Sequence, residues 1–228
     1  MEPGPVDDHR FTGYRRRLIE EIRSHGIRDL ELLELFDRVP RHLFLPRGIW
    51  NRAYEDAPLP IGHGQTASQP SLQALYLSIL KPEGDDRVLE IGTGSGFLTA
   101  LLAHMADRVY SVERVRELSG QARKALDALG ILNVALMVGD GTIGWRKFAP
   151  YQVMVVSAAS PTVPGALLDQ MADPGRMLIP VGTREAQELV LVRKARGRVE
   201  EEVVQGECTF VPLLGRFAWS SEVQEGGT

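Results

Sequence analysis

The sequence predicts an α/β fold, a doubly wound and mostly parallel sheet with an N-terminal helical segment ahead of it. Three observations carry this reading. Strand-like and helix-like patterns alternate from residue 87 to residue 181, a glycine-rich turn joins the first strand of the series to its helix, and an acid ends the next strand. Alternation of that kind gives parallel strands whose crossover helices cover both faces of the sheet.

The residues ahead of Tyr14 read as a loose start. Residues 14–24 and 28–38 then have helical spacing, with Leu18, Ile19 and Ile22, followed by Leu32, Leu33, Leu35 and Phe36, on apolar faces. Residues 47–69 are rich in Pro, Gly and polar side chains and read as irregular; a segment of that length inside a domain is a candidate lid or binding element. Pro70 suits the first turn of a helix running through Leu72, Leu75, Leu77 and Leu80, which Pro82 and Gly84 end. Strands are expected near 87–91, 108–112, 134–138, 152–157 and 176–181, with helices near 97–105, 115–129 and 164–171. Residues 188–193 and 203–208 read as closing strands, with antiparallel pairing open to them and their order in the sheet unspecified.

At 228 residues, one domain is expected over 1–228. Within it, 1–81 form a helical and irregular substrate-side segment and 82–228 the cofactor-binding core with its closing strands. A net charge of -4 gives no general pull toward nucleic acid or anionic membrane, so neither is an expected partner. The basic run Arg15-Arg16-Arg17 sits beside Glu20 and Glu21 and reads as a solvated helix face. Cys208 stands alone, which excludes an internal disulfide framework, and the five histidines lack metal-ligand spacing, so no metal is expected. The start lacks the basic and apolar regions of a secretion signal, and no apolar stretch reaches membrane-spanning length. A cytoplasmic protein is the expectation.

The chemistry concentrates in Val88-Leu89-Glu90-Ile91-Gly92-Thr93-Gly94-Ser95-Gly96-Phe97. Its glycines let the backbone turn sharply, and the following helix offers unpaired N–H groups to polar ligand atoms. The spacing is G-x-G-x-G, not the G-x-G-x-x-G that packs around a dinucleotide pyrophosphate. With Glu90 just before it, the loop fits S-adenosylmethionine, which carries no phosphate and has a positively charged amino acid end. Glu113 ends the second strand about twenty residues on, where an acid binds ribose hydroxyls in doubly wound folds. Asp140 ends the third strand, where a carboxylate accepts from an adenine amino group.

Together with Gly62-His63-Gly64-Gln65-Thr66-Ala67-Ser68-Gln69-Pro70, these landmarks become specific. The series GHGQTASQP, VLEIGTGSGF, VYSVER, LGILNV, GDGTIGW, SAASPTVP and RMLIPVG resembles the protein-L-isoaspartate O-methyltransferase family. The resemblance runs from the Arg38-Val39-Pro40-Arg41 region to Phe210-Val211-Pro212-Leu213 and Trp219. It implies a methyltransferase sheet of Rossmann-like type, S-adenosyl-L-methionine as cofactor, and repair of isoaspartyl proteins and peptides by a monomer. Carried onto this chain, it implies that Glu90, Gly92, Thr93, Gly94, Ser95, Gly96 and Glu113 hold the cofactor, with Asp140 and Gly141 flanking its adenine. It places Ser68 at the chemistry, with Thr66 and Gln69 beside it. Ser68 also suits an N-cap for the helix that Pro70 opens. Gln152, Ser157 and Asp173-Pro174-Gly175 depart from the usual family pattern.

Methyl transfer to a carboxylate explains the absence of a dyad, triad or metal site, since the acceptor is ionised at neutral pH. Three rivals remain open at this level. They are esterification of a dedicated peptide precursor or small acid, a nicotinamide oxidoreductase, and a cofactor-binding regulatory module without catalysis.

Overall fold

A computed structural model describes residues 9–220 of the chain, so the start at residues 1–8 lies outside the described residues. Helix α1 (Thr12–Ser24) and helix α2 (Leu30–Arg38) form on the predicted apolar stripes. Asp29 caps α2 by accepting from the Leu32 N–H at 3.1 Å, and Pro40 follows its end. The stretch expected to be irregular contains two short elements besides its turns. A 3-10 helix spans Arg47–Arg52, and strands β1 (Leu59–Gly62) and β2 (Gln65–Ala67) form an antiparallel hairpin. Helix α3 (Pro70–Leu80) then starts on its proline and ends at Lys81 in a left-handed conformation.

Beyond Pro82 come β3 (Arg87–Ile91), α4 (Phe97–Met105), β4 (Arg108–Glu113), α5 (Arg116–Ala128), β5 (Val134–Val138) and β6 (Tyr151–Val156). Helix α6 (Gly165–Leu168), β7 (Met171–Gly182), β8 (Gln187–Ala195) and β9 (Arg198–Cys208) complete the series. The sheet order is β5-β4-β3-β6-β7-β8-β9, parallel from β5 through β7 and antiparallel from β7 through β9. The chain leaves β3 toward β4 on one side and later returns to β6 on the other. A crevice therefore opens at the C-terminal end of β3, as such switch points require.

Both sheet faces are covered. Val88, Val109, Val153 and Val155 join a core shared with the N-terminal helices, while their neighbours Leu89, Tyr110, Met154 and Val156 join a second core on the opposite face. Tyr110 stacks on Phe148 there, and Tyr151 donates to the Trp145 carbonyl at 2.6 Å. The first core holds Phe36, whose ring meets Phe97 edge-on with centroids 5.9 Å apart. That contact docks α2 on the helix that follows the glycine loop.

Two predicted elements change length for identifiable reasons. The helix expected over 164–171 stops at Leu168, because the Gln170 carbonyl accepts from the Tyr151 N–H and carries the chain into the sheet. Strand β7 consequently begins at Met171, and its register against β6 jumps from Tyr151↔Met171 to Val153↔Arg176. Two departures from the family pattern also find their function. The Gln152 side-chain oxygen accepts from the Arg87 N–H at 3.0 Å, and the Asp173 carboxylate accepts from the Arg196 and Gly197 N–H groups that turn β8 into β9.

The shared core makes the N-terminal segment and the sheet one cooperative unit in our reading. Phe36→Ala is expected to cost about 3–5 kcal/mol in urea denaturation. With Trp145 and Trp219 replaced by Phe, Trp50 fluorescence and far-UV circular dichroism should shift together in a single transition; separate transitions would show that the segment folds apart from the sheet.

Candidate active site

The glycine loop is built on a buried acid. Glu90 lies on β3 with no exposed surface, and its Oε2 accepts from the hydroxyls of Ser111 on β4 and Thr99 on α4, both at 2.6 Å. Thr93 of the loop places its hydroxyl 2.5 Å from that of Ser111. One carboxyl thus joins two strands, the loop and the helix. Burial outweighs the two donated hydrogen bonds and raises its pKa to about 7, with the charge of Glu113 acting in the same direction as burial. Glu90, expected to hold the cofactor, is enclosed beneath the loop and is absent from the cleft lining; its Oε2 fixes the loop and its Oε1 is buried without a partner.

Glu113 occupies the end of β4 and is nearly buried. Its Oε2 accepts from the Gly94 N–H at 2.9 Å and its Oε1 from the Val115 N–H at 2.8 Å. Each oxygen retains acceptor capacity, so the carboxylate both shapes the loop and lines the cleft. Gly96 ends the loop at φ +87°, and a Cβ there would stand 2.8 Å from the Ala122 Cβ. It sets the close approach of α4 to α5, and it is buried.

Gly92, Thr93, Gly94, Ser95, Glu113 and Gly141 line a solvent-open cleft, together with Thr66, Ser68 and Ser157. Leu98, Val112 and Leu118 supply apolar wall, and residues 211–214 close one side. Asp140 is placed differently. Its Oδ1 accepts from the Thr142 N–H and hydroxyl, and its Oδ2 from the Arg216 N–H at 2.8 Å. It pins the C-terminal segment over the cleft, while the adjacent Gly141 forms the wall.

A second groove adjoins the first. Pro58, Gln69, Leu72 and residues 208–211 line it, and Thr66, Ser68 and Ser157 belong to both walls. Ser68 therefore sits at the junction. The N-cap of α3 is Gln69, with no side-chain capping bond, so the reading of Ser68 as a cap is overturned: the chain enters the helix one residue later. His63, at the turn of the β1–β2 hairpin, is exposed with φ +54°.

The donor set fits S-adenosylmethionine and disfavours a dinucleotide. The Gly94 N–H, which would face a pyrophosphate, is already donated to Glu113, and that carboxylate would repel phosphate. A carboxylate beside apolar walls suits a ligand with hydroxyls and a cationic end. Sequence reasoning missed Ser111 and Thr99, since a hydroxyl on a strand or helix carries no spacing signal. It also missed Arg41, which a helical or turn pattern would place in solvent.

The model of the family described as protein-L-isoaspartate(D-aspartate) O-methyltransferase (PCMT) matches residues 14–218. A relative named protein-L-isoaspartate O-methyltransferase from Geobacter metallireducens is 48% identical over 214 residues, 93% of this chain and 99% of the relative. One of the same name from Methanoculleus marisnigri is 48% identical over 92% of this chain and 95% of the relative. A solved structure titled protein-L-isoaspartate O-methyltransferase superposes with a TM-score of 0.80 at 29% identity, covering 90% of this chain and 67% of that one. A Plasmodium falciparum structure, titled a complex with S-adenosyl-L-homocysteine, shares the fold with a TM-score of 0.77 at 24% identity, over 88% of this chain and 98% of that one.

Because the Glu90 pKa is raised in the folded chain, its contribution to stability is full below the ordinary value of 4.5 and is lost as pH rises through about 7. Glu90→Gln stays neutral throughout. The variant should gain on the wild type between about pH 5 and about pH 8, by roughly 1–3 kcal/mol at the upper end, in melting curves across that range. A gap that does not change with pH would contradict this placement of the proton.

Proposed function

Because the chain belongs to the protein-L-isoaspartate(D-aspartate) O-methyltransferase family, we propose that its paired grooves carry a methyl group from S-adenosyl-L-methionine to the free α-carboxylate of L-isoaspartyl residues in damaged proteins and peptides. The observation that carries this reading is the position of Ser68, a residue that belongs to the walls of both grooves. A donor held by the glycine loop and an acceptor held beside Gln69 and Leu72 meet there.

Bound S-adenosylmethionine supplies a methyl group on a sulfonium, which is a good leaving group. The chain's own residues then have three tasks. Glu113 and the 92–96 backbone hold the donor, with Gly141 as wall on the adenine side and Asp140 keeping the 215–216 segment in place. Ser68 donates its hydroxyl proton to one oxygen of the acceptor carboxylate and leaves the other free to attack. Thr66 and Gln69 bound the same segment and orient the isoaspartyl backbone.

No side chain has to take a proton, because a carboxylate with an ordinary pKa of about 4 is already ionised. Orientation does the catalysis. In-line approach at roughly 3–3.5 Å supplies on the order of 7–11 kcal/mol of the barrier, and Leu72, Phe210 and Val211 keep the acceptor groove partly apolar. The methyl ester is a better leaving group than the free acid, so succinimide closure requires no further group of the enzyme. A monomer is the oligomeric state we propose. The net charge of -4 supports action without nucleic acid, and a cytoplasmic setting suits the repair of intracellular proteins.

With labelled S-adenosylmethionine and matched peptides, base-labile label should enter the isoaspartyl peptide and not its aspartyl counterpart. Equal labelling, or none, would overturn the repair reading. Loss of a hydrogen bond to a charged acceptor costs about 1.5–3 kcal/mol, so Ser68→Ala should lower turnover roughly 10- to 150-fold. Affinity for S-adenosylhomocysteine, measured by calorimetry, should stay nearly unchanged; a parallel loss of both would remove Ser68 from the chemistry.

A further inference from the structure

Arg41 is among the most deeply buried large side chains described, 1% exposed in the N-terminal segment. No carboxylate lies within ion-pair distance of it among the described residues. Its guanidinium instead donates from Nη1 to the Gln73 side-chain oxygen at 3.2 Å and from Nη2 to the Ser68 carbonyl at 3.1 Å, and it lies over the Phe97 ring at 5.1 Å. Nε is buried without a partner. Burial lowers its pKa to about 10, opposed by Asp56 and Tyr54, so it stays charged at neutral pH.

Burying a cation against neutral acceptors is a poor way to gain stability, since an apolar side chain of similar size avoids the desolvation cost. The three contacts have a geometric consequence instead. Ser68 carries the acceptor-side hydroxyl, Gln73 lies in the first turn of α3 and lines the donor cleft, and Phe97 opens α4 directly after the glycine loop. A single planar group thus spans the donor cradle and the acceptor segment. Asp56 secures the same corner from outside, accepting from the Ser71 N–H at 2.7 Å.

From this arrangement we infer that Arg41 is a positioning residue for methyl transfer, setting the Ser68 segment at a fixed distance and orientation from the glycine loop. The inference rests on the reading of Ser68 given above. Lysine retains the charge but cannot reproduce the two-pronged planar fork.

The test is a double-mutant cycle on the full chain with an isoaspartyl peptide. Arg41→Lys should lower kcat roughly ten- to hundredfold, the scale of a small misplacement of reacting groups, with S-adenosylhomocysteine affinity and peptide KM changed by less than about threefold. In the Ser68→Ala background the same change should cost less than about twofold, because the group through which Arg41 acts is gone. An equal loss of kcat in both backgrounds, an unchanged kcat, or a parallel loss of S-adenosylhomocysteine affinity would overturn the positioning role. Wild-type turnover in Ser68→Ala alone would instead overturn the Ser68 reading, and the two failures are distinct. If Arg41→Lys does not fold, Arg41→Gln, which keeps a planar amide donor without the two-pronged fork, enters the same cycle with the same expected outcome.

Discussion

The carboxyl of Glu90 is the constraint on which the rest of the site depends. A glycine loop has little intrinsic shape, because residues that tolerate left-handed backbone tolerate most other conformations as well. Here the shape comes from below. Glu90 takes hydroxyl donors from the neighbouring strand and from the helix after the loop, so β3, β4 and α4 meet at one buried atom, Oε2. An apolar residue would pack there without desolvation cost but would not specify direction. The carboxyl gives up stability at neutral pH in exchange for a fixed turn.

Glu113 completes that arrangement on the ligand side. Its two oxygens accept from one N–H in the loop and one at the start of α5, which shifts charge toward the cleft while holding the loop against the end of β4. Two acids only one strand apart therefore differ in task because they differ in exposure to the cleft. The one enclosed beneath the loop organises the backbone, and the one that lines the cleft faces the ligand space. Asp140 extends the pattern to the far wall, where it fastens the C-terminal segment instead of reaching inward.

The sheet was largely legible in the sequence, because β3, β4 and β5 are short, mostly apolar segments, broken only by Glu90 and Ser111 in their interiors, and the helices between them carry apolar faces. Ends were less legible where a distant group decides them. The stop of α6 depends on a carbonyl pairing with β6, and the β8–β9 turn depends on Asp173. The β1–β2 hairpin escaped notice because its strands are short and draw their stability from packing, not from an alternating pattern of their own. In the site, residue types at motif positions located the loop and the Ser68 segment. They did not separate groups that touch the cleft from groups that support it, since burial is a property of the folded neighbourhood. Glu113 lines the cleft while Glu90 and Asp140 do not, and Arg41 carries no mark in the sequence of being fully enclosed.

The two halves of the site come from different parts of the chain, and this division has a physical cause. The donor side is made at a topological switch point, where the ends of parallel strands and a helix N-terminus already provide a crevice. Such a crevice binds a nucleoside-like ligand but has no means of recognising an irregular peptide backbone. The acceptor side therefore has to be added from outside the sheet, by the N-terminal segment and the stretch after β9. An added wall is free to shift against the sheet unless something crosses the boundary. Apolar contacts such as Phe36 on Phe97 hold the segment down, but they leave sliding motions cheap because dispersion is not directional. Arg41 crosses the boundary through the Phe97 ring, over which its guanidinium lies at 5.1 Å, while inside the segment the same group donates to the Ser68 carbonyl and the Gln73 side-chain oxygen. Methyl transfer depends on distance and alignment more than on acid–base chemistry, so a group that ties the Ser68 stretch to the start of α4 bears on rate through geometry.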